Sequence, residues 1–258
     1  MTPKDEYAFI GDPPMFRPHA DEVHVSVTFT WDIPEAKRLV EAWGQYYDDV
    51  RLGGPALGDP GNTFIPGFYV KHGVTFTSRG CNNRCPWCLA PIREGNHREI
   101  ARFARGYIIQ DNNLLQASRS HISRVLEMLK KSRYPVSLAG GLEPALVNDW
   151  FAEELRGVRV AQVFLSADSR AAVNPLRKAV QVLKYLGRHK LRCYVLIAYN
   201  GEKVAQAEER LEEVWEIGCL PFAQLYQPED HYIDYSQEWK QLARKWSRPA
   251  ATVASHKI

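Results

Sequence analysis

The chain has little cysteine, little net charge and no long apolar run, and each shortage narrows its class. It has five cysteines in 258 residues, and three of them lie within eight residues, which leaves too few for a second conventional metal cluster. No apolar run approaches the roughly 20 residues that span a bilayer, so no membrane partner is expected. A net charge of +3 does not by itself argue for nucleic-acid binding. Residues 1–6 lack a secretion-signal pattern, so a cytoplasmic location is expected.

The most informative feature that is present is the cysteine spacing C-x3-C-x2-C. Cys81, Cys85 and Cys88 follow directly after a β-like run at 74–80. Three thiolates can hold three irons of a [4Fe–4S] cluster and leave the fourth iron open to a ligand, whereas ferredoxin-type carriers use four cysteines. In a reducing compartment, clustered cysteines indicate metal binding rather than disulfides. Two alternatives stay open: zinc, with His97 as the nearest candidate fourth ligand, and three unligated thiols.

Alternating strands and helices from about residue 73 onward predict the fold class. Nearly continuous apolar strands separated by helices of 3.6-residue periodicity favour a parallel sheet covered by helices, an α/β fold. Six such units favour a partial, open, TIM-like (β/α)6 barrel over a closed eight-stranded one. The predicted strands are 74–77, 107–109, 136–139, 160–165, 193–198 and 221–225.

Three helices have recognisable patterns. The first carries apolar residues from Ile122 to Leu129 at helical spacing. The second has Asn174 as its predicted cap, Pro175 in its first turn and Gly187 as its stop. The third ends at Gly218.

The chain divides into three predicted parts. Residues 1–68 are expected to form a small βαβ module, with a strand at 23–29, a helix at 34–47 and a strand at 49–52, followed by a Gly/Pro-rich linker at 53–67. Residues 69–235 are the predicted barrel. Residues 236–258 are expected to form one amphipathic helix and a frayed tail.

Polar residues follow the predicted strands, and the carboxyl ends of parallel strands meet at one edge of a sheet. Gly140 and Gly141 would let a ligand approach the backbone, and the carboxylate of Glu143 could bind an ammonium group. A simple strand-to-helix turn in which Pro144 opens the helix is the alternative. The amides and carboxylate after the second strand are predicted to orient substrate. The residues after strands two to five are Asp111, Asn112 and Asn113; Gly140, Gly141 and Glu143; Ser166 and Asp168; and Asn200.

The cysteine spacing and its strand context resemble the radical S-adenosylmethionine (radical SAM) superfamily over about residues 69–232. The lead-in Thr77-Ser78-Arg79-Gly80 is similar to that of the methylthiotransferases and of the cobalamin-dependent branch. The three further cysteines expected before Cys81 in the first, and the Asp-x-His-x-x-Gly signature of the second, are not in the sequence. The reaction type is therefore left open.

The resemblance implies a set of site roles. Cys81, Cys85 and Cys88 would hold the [4Fe–4S] cluster, with Trp87 beside the last cysteine. Gly140, Gly141 and Glu143 would hold the methionine amino group of SAM, and Ser166, Asp168 and Asn200 its ribose or carboxylate. The implied activity is reductive cleavage of SAM to a 5′-deoxyadenosyl radical that takes hydrogen from a substrate.

The resemblance also implies partners. These are an external one-electron donor, flavodoxin- or ferredoxin-like, and a substrate that an open barrel allows to be a nucleic acid or a peptide. Two hypotheses from other classes remain: a non-catalytic iron–sulfur redox sensor and a zinc-stabilised binding module.

Overall fold

The computed structural model describes residues 2–58 and 70–256 of an α/β protein. Across these ranges, no helix combines the length and the apolar character needed to cross a bilayer. The strands are β1 Val23–Ser26, β2 Val50–Gly53, β3 Val74–Thr75, β4 Ser78–Arg79, β5 Arg98–Glu99, β6 Ile108–Ile109, β7 Val136–Leu142, β8 Val160–Ser166, β9 Leu191–Ile197 and β10 Leu220–Leu225. The helices are α1 Ile33–Gly44, α2 Ala90–Glu94, α3 Arg119–Lys130, α4 Asp149–Arg156, α5 Arg170–Leu183, α6 Val204–Ile217, α7 Gln237–Ser247 and α8 Pro249–Ser255.

Six strands form the main sheet in the order β10-β9-β8-β7-β6-β3. Every neighbouring pair is parallel, which confirms the predicted parallel sheet. Each of the six predicted strands has a counterpart in it. The first is shorter than predicted, because the chain leaves the sheet after Thr75 and β4 then pairs antiparallel with β5.

The sheet has its connecting helices on one face. Its strands follow one another in chain order, and because parallel crossovers are right-handed, a sequential order puts successive helices on the same side. The contacts between α3 and α4, α4 and α5, and α5 and α6 agree with this. In β9, Leu191, Cys193, Val195 and Ile197 belong to the hydrophobic core, so Arg192 and Tyr194 lie on the opposite face.

Local capping explains several helix boundaries. The side chain of Ser118 accepts a hydrogen bond from the backbone N–H of His121 at the start of α3, and Asn148 does the same for Phe151 in α4. Gly218 ends α6 in the left-handed conformation at φ +107°, as its position in the sequence predicts.

The predicted start of the helix at Asn174 is wrong by one turn. α5 begins at Arg170, so Pro175 lies inside the helix rather than in its first turn. Val173 is buried in the core one turn before Leu176, which extends the apolar face of the helix toward its N-terminus. Packing of this turn outweighs the cost of the backbone hydrogen bond that proline cannot donate.

The N-terminal residues form a βαβ unit whose first strand and helix end three residues earlier than predicted. Strands β1 and β2 pair in parallel from Val23 opposite Val50 to Ser26 opposite Gly53, and α1 connects them. Val25, Val27 and Ala36 form a small hydrophobic core of this unit. The predicted linker starts inside β2 and continues through a 3-10 turn at Pro55–Leu57, and from residue 59 it lies outside the described residues.

A second C-terminal helix, α8, occupies most of the predicted frayed tail. Pro249 starts it, where the fixed φ of proline favours a helical first turn. Thr252 is buried and donates its hydroxyl hydrogen bond to the carbonyl of Lys245 at 3.1 Å. The imidazole of His256 lies 2.8 Å from the carboxylate of Glu212 and packs on the ring of Trp215. These contacts attach the C-terminus to α6.

Replacing Trp246 by Ala tests whether α7 belongs to the core. Trp246 is 0% exposed, so we expect Trp246→Ala to lower the free energy of unfolding by about 3–5 kcal/mol. Trp239, seven residues earlier on the same helix, is only partly buried against the core, and Trp239→Ala should cost clearly less. Urea unfolding followed by far-UV circular dichroism measures both. Equal losses would contradict the assignment of Trp246 to the core.

Candidate functional site

The cysteine loop lies between β4 and α2, and its base is closed by specific contacts. Ser78 pairs with Glu99 and Arg79 with Arg98 in the short β4–β5 ladder. The Arg79 guanidinium lies 3.0 Å from the carboxylate of Glu94, which also accepts a hydrogen bond from the backbone N–H of Gly80. The loop therefore leaves the strand in a fixed direction.

Within the loop, one position requires glycine. Gly80 has φ +75°, and a Cβ there would meet the carbonyl oxygen of Asn96 at 2.3 Å. The next residue, Cys81, donates its backbone N–H to the carbonyl of Gly95, and Cys88 donates its N–H to the carbonyl of Cys85. The first cysteine is thus held against the returning chain, and the other two flank one turn.

The three cysteines are free thiols that lie close enough to interact electrostatically. Cys81 is buried, and Cys85 and Cys88 are half-buried. Burial, followed by the charges of Cys88 and Cys81, raises the pKa of Cys85. Burial also raises the pKa of Cys88, with the charge of Cys81 adding to it. A bound cation would relieve the mutual repulsion of these thiolates, so the chemistry of the three donors, though not a converged geometry, fits an iron–sulfur cluster.

His97 has an incompletely satisfied ring. Its Nε2 is buried with no hydrogen-bond partner among the described residues, and burial lowers its pKa. Its backbone N–H donates to the side chain of Asn82 in the cysteine loop. Within residues 2–58 and 70–256, no three His, Cys, Asp or Glu side chains converge as a metal-binding group does.

A β-bulge presents the two glycines of β7. Leu138 pairs with Val163 and Leu142 with Leu165, so β7 uses four residues where β8 uses two. Gly141 has φ +92°, and a Cβ on Gly140 would lie 1.9 Å from the carbonyl oxygen of Asp111. The bulge thus takes up two extra residues in β7 and places Leu142, just before Glu143, on the buried face of the sheet.

Glu143 connects the end of β7 to the cysteine loop. Its Oε2 accepts hydrogen bonds from the amides of Asn83 at 2.9 Å, Asn113 at 2.8 Å and Gln116 at 3.4 Å. Gln116 in turn accepts from the backbone N–H of Asn82. Glu143 and Asn113, predicted separately, are therefore brought together beside the cysteines.

Asp111 is predicted to orient substrate, but its side chain is buried inside the protein. It is 2% exposed, and its carboxylate accepts hydrogen bonds from Thr77 N at 2.6 Å, Thr77 Oγ1 at 2.5 Å and Ser78 Oγ at 2.8 Å. Burial raises its pKa, although these hydrogen bonds oppose the shift. Asp111 therefore positions the lead-in to the cysteine loop.

The two neighbouring asparagines differ in surroundings. Asn113 is buried and directs its amide nitrogen to Glu143, while its Oδ1 has no hydrogen-bond partner in the described parts of the chain. Asn112 is half-buried, and its Oδ1 likewise has no partner there. Two buried amide oxygens are thus available to a donor group.

Asp168 and Trp87 connect the cysteine loop to the fourth and fifth strand ends. Asp168 accepts the backbone N–H of Leu196 at 2.9 Å, and the Trp87 side chain lies close enough to favour its ionised form. Burial raises the pKa of Asp168. The Trp87 ring also meets the ring of Tyr199 edge-on at 5.4 Å. The aromatic residue beside the last cysteine therefore fixes the loop laterally.

The last two predicted residues are placed differently. Ser166 is the final residue of β8, half-buried and opposite Tyr194 of β9. Asn200 is exposed at φ +52° in the turn after β9, and no contact joins it to the cysteine loop within the described ranges. The structure thus brings Asn113, Glu143, Asp168 and Trp87 to the loop, but not Asn200.

Three contributing residues escaped the sequence argument. Asn83 lies inside the cysteine motif, between Cys81 and Cys85. Gln116 follows the polar run at 111–113, and Tyr199 immediately precedes Asn200. A general rule that the first residues beyond each parallel strand face one edge would have included Tyr199.

Comparison with known proteins adds no assignment. No protein-family model matches the chain, and no curated protein sequence matches it.

Asp111→Asn provides a pH test of the buried carboxyl. Because burial raises its folded-state pKa, Asp111 contributes fully to stability below its unfolded pKa of about 3.9, and this contribution is lost as pH rises through the folded pKa. The difference in free energy of unfolding between wild type and Asp111→Asn should therefore shrink from pH 4 to pH 7.5. Urea unfolding measures it, with the exposed Asp149→Asn as the control. A difference that grows with pH would show that the hydrogen bonds outweigh burial.

Proposed function

We propose that this chain is a radical SAM enzyme. One observation carries the proposal: the C-x3-C-x2-C loop lies at the carboxyl edge of a sequential parallel sheet, where it is hydrogen-bonded to Glu143 at one strand end and has Trp87 close to Asp168 at another. Glu143 is linked to the loop through Asn83, and Asp168 through Trp87. Polar groups gathered at this edge of a parallel sheet are typical of an active site.

The partial (β/α)6 barrel is part of the same proposal. A sequential strand order with helices on one face supports a sheet that curls around its uncovered face. The two sheet edges, β3 and β10, are not paired with each other. An open barrel of this kind would leave a lateral entrance for a large substrate such as a nucleic acid or a peptide.

The cofactors would be a [4Fe–4S] cluster held by Cys81, Cys85 and Cys88, and SAM. When bound, they supply reductive cleavage of SAM to methionine and a 5′-deoxyadenosyl radical, which takes hydrogen from the substrate. The chain itself fixes the lead-in to the loop through Asp111 and holds the loop laterally through the contact of Trp87 with Tyr199.

Glu143 would bind the amino group of SAM. Its three protein hydrogen bonds all reach Oε2, and Oε1 has no partner in the described parts of the chain. An ammonium donating to Oε1 would find a carboxylate already oriented by amides, at no further cost in side-chain ordering. Gly140 and Gly141 would allow the ligand to approach the backbone beside it.

The fourth strand end would hold the rest of SAM. Ser166 and Asp168 are short polar residues suited to ribose hydroxyls, and Asp168 is already positioned by Leu196 and Trp87. Asn200, exposed and apart from the loop, is a weaker candidate.

The electron would come from outside the chain. The three clustered cysteines are all used by one cluster, so a flavodoxin- or ferredoxin-like donor would deliver electrons one at a time. A reducing, cytoplasmic location would keep the five free thiols reduced.

The cysteine assignment is tested by anaerobic reconstitution with iron and sulfide. Cys81→Ala, Cys85→Ala and Cys88→Ala should each lose bound iron and, after dithionite reduction with SAM, the formation of 5′-deoxyadenosine. Cys193→Ala is the matched control, because Cys193 is buried in β9 and should keep both. Full iron retention in all three loop variants would refute the assignment. A wild type that binds only zinc, or holds a cluster without cleaving SAM, would favour a binding module or a redox sensor.

Glu143→Ala separates SAM binding from cluster binding. Loss of a charged hydrogen-bond acceptor costs about 1.5–3 kcal/mol, so SAM affinity should fall about 10- to 100-fold while the iron content stays at the wild-type level. Calorimetry on the reconstituted protein measures the affinity, and iron analysis provides the control. An unchanged SAM affinity would mean that the ammonium binds elsewhere.

A further inference from the structure

The face of the sheet that the helices leave uncovered carries an aromatic cluster around one arginine. Phe164 of β8, Arg192 and Tyr194 of β9 and Phe222 of β10 are neighbours across the strands. The rings of Phe164 and Tyr194 stack at 4.7 Å, and Tyr194 meets Phe222 edge-on at 5.6 Å. The Arg192 guanidinium carbon lies 5.4 Å from the Phe164 ring centroid and 5.3 Å from that of Phe222.

Arg192 is a buried cation without a counter-ion. It is 5% exposed, and its Nε and Nη2 have no hydrogen-bond partner within the described residues. No carboxylate forms an ion pair with it in these ranges, and burial lowers its pKa. Arginine nevertheless stays protonated in proteins, so the positive charge remains.

The same chain shows how a purely structural buried arginine is satisfied. Arg210 is also 5% exposed. Its guanidinium donates to the carbonyls of Ala167 at 2.9 Å and Leu196 at 2.7 Å and to the carboxylate of Glu202 at 2.6 Å. Arg192 has only aromatic faces, and a cation–π contact does not replace the hydrogen bonds that a buried guanidinium loses.

We propose that the uncovered face of the sheet holds an anion-binding site in which the Arg192 guanidinium takes a carboxylate or phosphate group of a small ligand. The planar fork of arginine matches both groups through two parallel N–H donors. Phe164 and Phe222 exclude water around it, which strengthens the attraction between opposite charges.

The site adjoins the candidate active site through Tyr194. The Tyr194 hydroxyl donates to the carbonyl of Ala139 at 2.8 Å, and a Cβ on Gly141 would lie 3.6 Å from its ring. An anion at Arg192 would therefore lie on the same face as the glycines of the bulge and level with them, because Arg192 pairs with Phe164, between the two β8 residues that pair with Leu138 and Leu142. Its identification as the acidic group of a substrate rests on the proposed function, whereas anion binding itself does not.

Calorimetric titration of the full chain with inorganic phosphate and with acetate, in a chloride buffer of constant ionic strength, tests the site. Wild type should bind at least one of the two anions with one-to-one stoichiometry, and which one binds distinguishes a phosphate from a carboxylate ligand. Arg192→Met should weaken that binding at least tenfold. Arg188→Met is the matched control, because Arg188 also lies over a ring, that of Trp215, but is exposed, and it should bind as wild type does.

Thermal unfolding without added anion distinguishes a ligand-binding arginine from a structural one. Replacing an uncompensated buried charge by an apolar side chain of similar size should leave the Tm of Arg192→Met equal to or above that of wild type. A Tm several degrees lower, or no one-to-one binding of either anion by wild type, would overturn the proposal. If Arg192→Met does not fold, Arg192→Lys, which keeps the charge but not the planar fork, should still weaken binding.

The anion-binding test gives a result that does not depend on whether the chain is a radical SAM enzyme. Titration of Cys85→Ala should give wild-type anion affinity, because the Arg192 guanidinium contacts the rings of Phe164 and Phe222 and not the cysteine loop. Loss of anion binding in Cys85→Ala would contradict a site centred on Arg192. Retained anion binding in a chain that fails to cleave SAM would overturn the proposed enzyme and leave the anion site in place.

Discussion

The sequential, all-parallel order of the six-stranded sheet constrains the rest of the molecule. Because each strand neighbours the next in the chain, right-handed crossovers leave one face to the helices and the other face uncovered. Because all strands run the same way, their following loops meet at one edge. The cysteine loop, Glu143 and Asp168 are far apart in sequence and become neighbours only through this order.

The carboxylates at that edge have different tasks because their surroundings differ. Asp111 is enclosed, and its hydrogen bonds fix the chain segment that leads into the cysteines. Glu143 receives amides on one oxygen alone, so it is oriented yet able to accept another donor. Sequence position alone placed both at strand ends. Burial and hydrogen-bond partners distinguish a positioning residue from a binding residue.

Much of the fold could be predicted from periodicity, because apolar runs and helical spacing report burial directly. The features that were predicted wrongly or not at all depend on tertiary contacts. The start of α5 follows the packing of Val173 against the core, which overrides the preference of Pro175 for a first turn. The order of 249–255 depends on Thr252 and on the contact of His256 with Trp215. Within the site, the hydrogen bonds of Asp111 to Thr77 and Ser78 join residues more than 30 positions apart, so no sequence pattern predicts them.

Arg192 is a second residue whose place in the fold could not be predicted from the sequence, and it is central to the proposed anion site. A charged residue at the start of an apolar run was naturally left outside the predicted strand, which began at residue 193. The ladder instead includes it, opposite Phe164, because the pleat directs alternate residues of β9 to the uncovered face. The chain thus gathers three thiols beyond the carboxyl edge of the sheet and buries an uncompensated cation on the face that the helices leave uncovered. Neighbouring thiolates are favoured by a cation, and a buried guanidinium by an anion, so the carboxyl edge and the uncovered face of this sheet are suited to charged ligands of opposite sign.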